Sequence, residues 1–374
     1  MEQNQATQRL VDQFIAMVRI SSPSRKEGDF AAYARKELEA LGFSVEFDAA
    51  GDQVAGDTGN LIATLAGNKD AEPLMFCCHM DTVTPCNNIQ PVIANGVIRS
   101  DGTTILGGDD KAGIAAVIEG VRRIRERGIE HGLLQVVLTI CEEVGMYGAK
   151  GLDYSKVLAK RVYVLDAEGP LGQIAVQGPS KDTIKAVIHG RTAHAGLSPE
   201  RGVSAIQVAA RAIERMQLLR IDTETTANIG TISGGVATNI VAEQVDILAE
   251  ARSLFNEKLD AQSAHMKACF DHAAQEFGVS VEVDIQRSYT AFKLTETDAV
   301  VKQCMDVMHA LGLNPELVST GGGSDCNIFN ARGLSAVDLA VGMTDVHTKE
   351  ESIKISDLET AARLIEALIE HNNA

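Results

Sequence analysis

The chain is short of positive charge. Lys and Arg number 34 against 51 Asp and Glu, a formal net charge of −17, and no basic stripe occurs anywhere. Nucleic-acid binding rests on clustered Lys and Arg facing phosphates, so that class of partner is excluded. Long apolar runs are also missing. None approaches the roughly 20 residues that span a bilayer, so no membrane partner is expected. The opening MEQNQATQRLVDQF is polar and runs into an amphipathic helix. It lacks the basic flank and apolar stretch of a secretory signal. The cysteines (77, 78, 86, 141, 269, 304 and 326) are seven in number and form no spaced framework. An odd, irregular set argues for reduced thiols and a cytoplasmic setting. Cys77, Cys78 and Cys141 sit inside apolar runs, where cysteine serves as a small hydrophobe and not as a metal ligand.

What is present is the balance of an ordinary globular protein, 45% apolar and 23% charged. At 374 residues the chain exceeds what one hydrophobic core usually organises, so two domains are expected. Helix and strand patterns alternate, which indicates an α/β fold. Residues 6–20, 28–41 and 111–127 read as helices, as does 356–371 with Ser356 as its cap. The runs 74–78, 133–140, 161–165 and 335–341 are short, continuous and apolar, the mark of buried strands. The middle third reads differently. A strand at 180–190, a helix at 199–218 opened by Pro199, strands at 227–233 and 244–252, a helix at 256–277 and a strand at 279–288 follow one another. That βαββαβ order is a ferredoxin-like split unit. The expected organisation is a mixed, mostly parallel sheet sandwiched by helices, built from residues 1–174 and 291–374. An inserted α+β lid or dimerisation domain covers 177–288.

Polar clusters fall where the core strands end: His79 and Asp81 after 74–78, Glu142 and Glu143 after 133–140, Asp166 after 161–165, and His347 past 335–341. Asp109 and Asp110 open the helix that follows them. Each has an ordinary reading alone, as a core histidine, a helix cap or a solvated loop acid. In a parallel sheet, however, the carboxyl ends of the strands form the ligand crevice. Two histidines and several carboxylates converging there make the donor set of a dinuclear zinc site. Cations about 3.5–4 Å apart need a shared carboxylate between them.

The segments HMDTV (79–83), GGDDKAG (107–113), EEVGMYGAKG (142–151), TAHAG (192–196) and TGGGSDCNIF (320–329) together resemble one metallohydrolase family. It contains tripeptidase T, glutamate carboxypeptidase, acetylornithine deacetylase and the aminoacylases. LGGDDKAGIAAV and GMTDVHTKEE are most similar to the tripeptidase T-like branch. The resemblance covers essentially the whole chain. It implies a zinc-exopeptidase-like catalytic domain with two Zn²⁺ per chain, His79 and Asp166 on one, Glu143 and His347 on the other, and Asp109 bridging. It also implies a cis peptide after Asp109. Imidazole and carboxylate donors equally suit Co²⁺ or Mn²⁺. Glu142 is then the general base that takes a proton from the attacking water. Asp81 is the partner that orients His79. On the lid, the resemblance makes His194 the oxyanion donor, and Asn239, Arg252, Gly322 and Gly323 the substrate grip, with Arg252 for a terminal carboxylate. Lid-to-lid pairing into a homodimer is a further implication. The expected activity is hydrolysis of short peptides from the amino end. A deacylase or carboxypeptidase of N-acyl amino acids, or a non-catalytic metal-binding relative, stays open. The span from Asp81 to Asp109 is abbreviated compared with tripeptidase T, which bears on substrate length.

Overall fold

A computed structural model describes residues 2–372, and the side chains from residue 5 onward. By internal contacts the chain divides into two compact units. The first holds residues 1–176, 293–319 and 324–374, the second residues 177–292 and 320–323.

In the first unit, helices α1 (Glu2–Val18) and α2 (Gly28–Ala40) precede strands β1 (Ser44–Phe47), β2 (Leu61–Leu65) and β3 (Leu74–His79). A hairpin, β4 (Val92–Ala94) and β5 (Val97–Arg99), turns at Asn95–Gly96, both at positive φ. Then come α3 (Gly108–Glu126), β6 (Leu134–Thr139), α4 (Tyr147–Gly151), β7 (Arg161–Ala167) and β8 (Gln173–Gly178). The second unit contributes β9 (Ser180–His189), α5 (Ala205–Arg215), β10 (Leu219–Arg220), β11 (Thr225–Gly234), β12 (Gln244–Ser253), α6 (Asn256–Phe277) and β13 (Ser280–Tyr289). Beyond it lie β14 (Phe292–Lys293), α7 (Ala299–Ala310), β15 (Glu316–Ser319), α8 (Asp325–Ala331), β16 (Ser335–Ala340), β17 (Met343–Thr344), β18 (Ser352–Lys354) and α9 (Ile355–Glu370).

The central sheet runs β1-β2-β6-β3-β7-β16-β8-β14, with β15 beside β8. Its middle pairs, β6–β3, β3–β7 and β7–β16, are parallel, while β1–β2, β2–β6 and β16–β8 are antiparallel. Strands β3 and β6 are buried at every position, which explains their unbroken apolar sequence. Helices α3 and α9 meet at Gly120. A Cβ there would come within 2.8 Å of the Ile365 side chain and 3.0 Å of the Ala362 carbonyl.

The second unit is an antiparallel sheet, β10-β11-β12-β9-β13, carrying α5 and α6 over its own core. The order β13-β9-β12-β11 is that of a ferredoxin-like unit. Along β9 buried and less buried residues alternate strictly, as one covered face demands.

Three sequence expectations are corrected. Pro199 opens a short 3₁₀ turn (Pro199–Arg201), and α5 starts only after Ser204, whose hydroxyl accepts the Gln207 N–H. The reason is that Val203 still pairs with Arg191. Ser356 lies inside α9, which begins at Ile355 straight after β18, and not at its cap. Finally, residues 320–323 group with the second unit, outside the sheet domain expected for 291–374. The Thr320 N–H donates to the Gln177 carbonyl, and Gly323 packs so closely on Tyr289 that a Cβ would lie 2.4 Å from the ring.

The α3–α9 contact gives a first prediction. Gly120→Val should overpack it and destabilise the first unit by about 1–3 kcal/mol. A urea midpoint equal to wild type would show that the helices part without cost.

Candidate metal centre

The site is assembled at the carboxyl ends of β3, β6 and β7, with contributions from the start of α3 and the loop after β17. His79 ends β3 and is buried. Its Nδ1 lies 2.8 Å from the Asp81 carbonyl oxygen, which fixes the proton on that nitrogen in the neutral ring. Nε2 faces Asp109 Oδ1 at 2.9 Å and Asp166 Oδ1 at 3.2 Å; burial opposes a charged ring there, yet these carboxylates push the imidazole well above its ordinary value. On the other side, His347 Nε2 lies 3.2 Å from Asp109 Oδ2 and 2.9 Å from Glu143 Oε2. The two oxygens of one carboxylate therefore address two different imidazoles. Asp109 stands between two pairs of donor residues, His79 with Asp166 and His347 with Glu143.

The backbone explains this convergence. The Asp109–Asp110 peptide is cis. Asp110 accepts the His79 N–H at 3.3 Å, so it braces β3 and leaves the cluster to Asp109. After β6, Cys141 adopts a left-handed φ of 51° and the chain turns through Glu142 and Glu143. Asp345 and His347, at φ 56° and 64°, are left-handed as well. Non-glycine residues in this region cluster where the surroundings over-determine them.

The role expected of Asp81 is refined. Its carboxylate is 3.6 Å from His79 Nδ1, farther than its own carbonyl. Instead it accepts the Glu142 N–H at 2.9 Å, the Glu143 N–H at 3.3 Å and the Ser24 hydroxyl at 2.6 Å. It thus holds the glutamate turn while its carbonyl orients the imidazole.

The electrostatics are those of a crowded anionic pocket. Burial first, then the neighbouring Asp166, pushes Glu142 well above the usual carboxylate range. Burial and Asp109 do the same to Asp166. Burial opposes ionisation of Asp109, yet the imidazoles of His347 and His79 hold it below its ordinary value. Hydrogen bonds to Asp109 and Glu143 push His347 up to about 10. Donor atoms of His79, Glu142 and Asp166 lie within 4.8 Å of one another, as do those of His79, Asp109 and Glu143. Such oxygen- and nitrogen-rich clusters, without cysteine, suit Zn²⁺, Co²⁺ or Mn²⁺. Like charges this close call for cations between them, so the donor set fits a metal pair.

Of the lid residues, His194 and Asn239 are brought together: the Ala195 N–H donates to the Asn239 carbonyl, and His194 bridges to Ile240. His194 Nδ1 accepts the N–H groups of Gly196 and Leu197 at 3.1 Å each, which leaves Nε2 as the protonated, outward nitrogen. Arg252 is engaged by Glu250, Nε to Oε1 at 2.8 Å, and its Nη1 donates to the Gly321 carbonyl at 3.4 Å. The Gly322 N–H donates to Thr320 Oγ1.

Supporting residues that escape a reading of the sequence include Asp338 and Glu27. Asp338, inside the apolar run SAVDLAV, accepts the Asp166 N–H at 3.0 Å, and burial pushes it up to about 6. An acid within a buried strand was the available signal. Glu27 accepts the Cys141 N–H at 3.0 Å, and nothing in its helix-start context marks it.

Residues 75–371 match the profile of peptidase family M20/M25/M40. The chain is 44% identical to the uncharacterized protein YqjE of Bacillus subtilis over 97% of its own length and 98% of that protein. A solved aminopeptidase PepT from Bacillus cereus is 44% identical with a TM-score of 0.91, covering 98% of both chains. A tripeptidase from Staphylococcus aureus is 40% identical with a TM-score of 0.94, again over 98% of both. With its sheet, its acid and imidazole cluster and its full-length likeness all in accord, the chain belongs to the M20/M25/M40 peptidase family.

Proposed function

We propose that this protein is a dinuclear metallopeptidase that removes amino-terminal residues from short, unblocked peptides, tripeptides among them. One observation carries the reading: the Asp109 carboxylate faces His79 with one oxygen and His347 with the other. The likeness to an aminopeptidase PepT and a tripeptidase over nearly the whole chain supports the substrate class.

His79 and Asp166 would hold one cation, Glu143 and His347 the second, and Asp109 both. When bound, the pair supplies Lewis acidity, polarising the scissile carbonyl and lowering the pKa of water. Glu142 would take the proton of the attacking water and deliver it to the leaving amine. Its buried carboxyl, raised in pKa by its surroundings, suits both halves of that transfer. His194 would donate from Nε2 to the oxyanion. Arg252, aimed by Glu250, would meet the peptide's terminal carboxylate, beside Asn239 and the Gly322–Gly323 backbone. We further read the protein as cytoplasmic, since all seven cysteines are free and buried. Pairing of lids into a homodimer accords with β13 at a sheet edge and with the exposed Leu197 and Val236. No helix among the described residues is long and apolar enough to cross a membrane.

Three outcomes are expected. Purified protein should hold about two zinc, cobalt or manganese ions per chain by elemental analysis, and should cleave unblocked tripeptides in preference to N-acyl amino acids. Activity confined to the acylated compounds would make it a deacylase. Glu142→Ala should lower kcat by about 10²–10⁴-fold with metal content unchanged; metal lost in step with activity would mean Glu142 is itself a ligand. Lastly, metal uptake should release protons. His347, raised to about 10, is protonated at pH 7 in the metal-free protein, whereas a ligating imidazole is neutral. Calorimetry in buffers of different ionisation enthalpy should show at least one proton leaving per chain. A buffer-independent heat would contradict the assignment.

A further inference from the structure

Glu351 follows the ligand His347 by four residues and is 1% exposed. It ends the loop between β17 and β18, and both of its oxygens are spent on backbone. Oε2 accepts the N–H groups of Leu106 and Gly107, each at 2.8 Å, and Oε1 accepts the Asp109 N–H at 3.0 Å. The carboxylate is thus turned away from the cation cluster and into the turn that presents Asp109. The two are close: a Cβ added to Gly108 would lie 3.1 Å from Glu351 Oε1.

The other end of the same loop is also pinned. Glu168 accepts the Asp345 N–H at 2.8 Å, and Thr348 Oγ1 donates to the Asp345 carbonyl at 2.7 Å. Strand β18 pairs with β5, the strand just upstream of the Asp109 turn. His347 therefore hangs on a loop with two anchors, and the Glu351 anchor reaches the bridging ligand directly. His79 and Asp166 are held separately, on β3 and β7.

We infer that Glu351 is a positioning residue that locks the His347 loop to the backbone of Asp109, so that these two ligands of the second cation are set as one piece. Charge-assisted hydrogen bonds from three N–H groups to one buried carboxylate make the lock stiff. The inference rests on the two-cation reading above. Its consequence is selective: loosening Glu351 frees His347 relative to Asp109 but leaves the pairing of His79 with Asp166 in place.

The test is cation binding to metal-free protein, followed by the visible absorption of Co²⁺ and by Zn²⁺ competition with a chromophoric chelator. Wild type should take two cations; fewer would overturn the two-cation reading itself, and would be seen before any substitution is made. In Glu351→Gln an amide nitrogen replaces one acceptor, and the second cation should bind about 10–100-fold more weakly, with an altered Co²⁺ spectrum and first-cation affinity near wild type. Two cations bound with wild-type affinities and spectrum would overturn the inference. So would equal weakening of both cations together with a lowered melting temperature, the result of a merely structural support. Should Glu351→Gln not fold, Glu351→Asp keeps the charge and withdraws it by one methylene, and the same comparison decides.

Discussion

Four carboxylates, Asp109, Glu142, Glu143 and Asp166, are drawn into one pocket against their mutual repulsion, and the architecture is organised around holding them there. Two such groups about 4 Å apart repel by roughly 4 kcal/mol at an effective dielectric near 20. Before cations arrive, the imidazoles of His79 and His347, set against Asp109, Asp166 and Glu143, offset part of that repulsion. The restraint comes from the frame: parallel strands buried at every position, and left-handed residues at Cys141, Asp345 and His347 that aim the chain. A layer of acids that do not face the cluster completes it. Asp81, Asp338 and Glu27 each accept backbone N–H groups from the segments that carry the site.

That layer changes how the acidity of the protein is to be understood. Some of the negative charge converges in the candidate metal centre. Another part is buried against peptide N–H groups, as at Asp81, which accepts those of Glu142 and Glu143. An anion satisfied by N–H groups needs no lysine or arginine beside it. The excess of acids over bases therefore coexists with a packed interior.

The sequence made the core strands legible because burial on both sides of a sheet leaves an unbroken apolar signature, as in LMFCC and LLQVVLTI. Candidate ligands such as His79, Glu143 and Asp166 were legible because they sit where such runs stop, whereas Asp109 opens a helix. Short strands such as β1 and β2, four and five residues long, carry too little pattern to be seen. The start of α5 was misplaced because Pro199 announces a helical turn, while a tertiary pairing of Arg191 with Val203 delays the helix itself. Asp338 and Glu27 stayed hidden for a chemical reason. Their partners are main-chain groups, identical at every residue, so no complementary side chain in the sequence points to them.

The position of β16 bears on how the molecule is made. This strand fills the sheet between β7 and β8, yet it is synthesised long after both, once the entire inserted unit has been translated. With roughly 170 residues separating β7 from β16, a ribosome adding about 5–20 residues per second leaves the open edges of β7 and β8 waiting on the order of ten seconds or more. During that interval the nascent chain displays apolar strand edges that the finished protein conceals. Its period of greatest exposure to misassembly is therefore written into its topology, and ends when the last strand slides home.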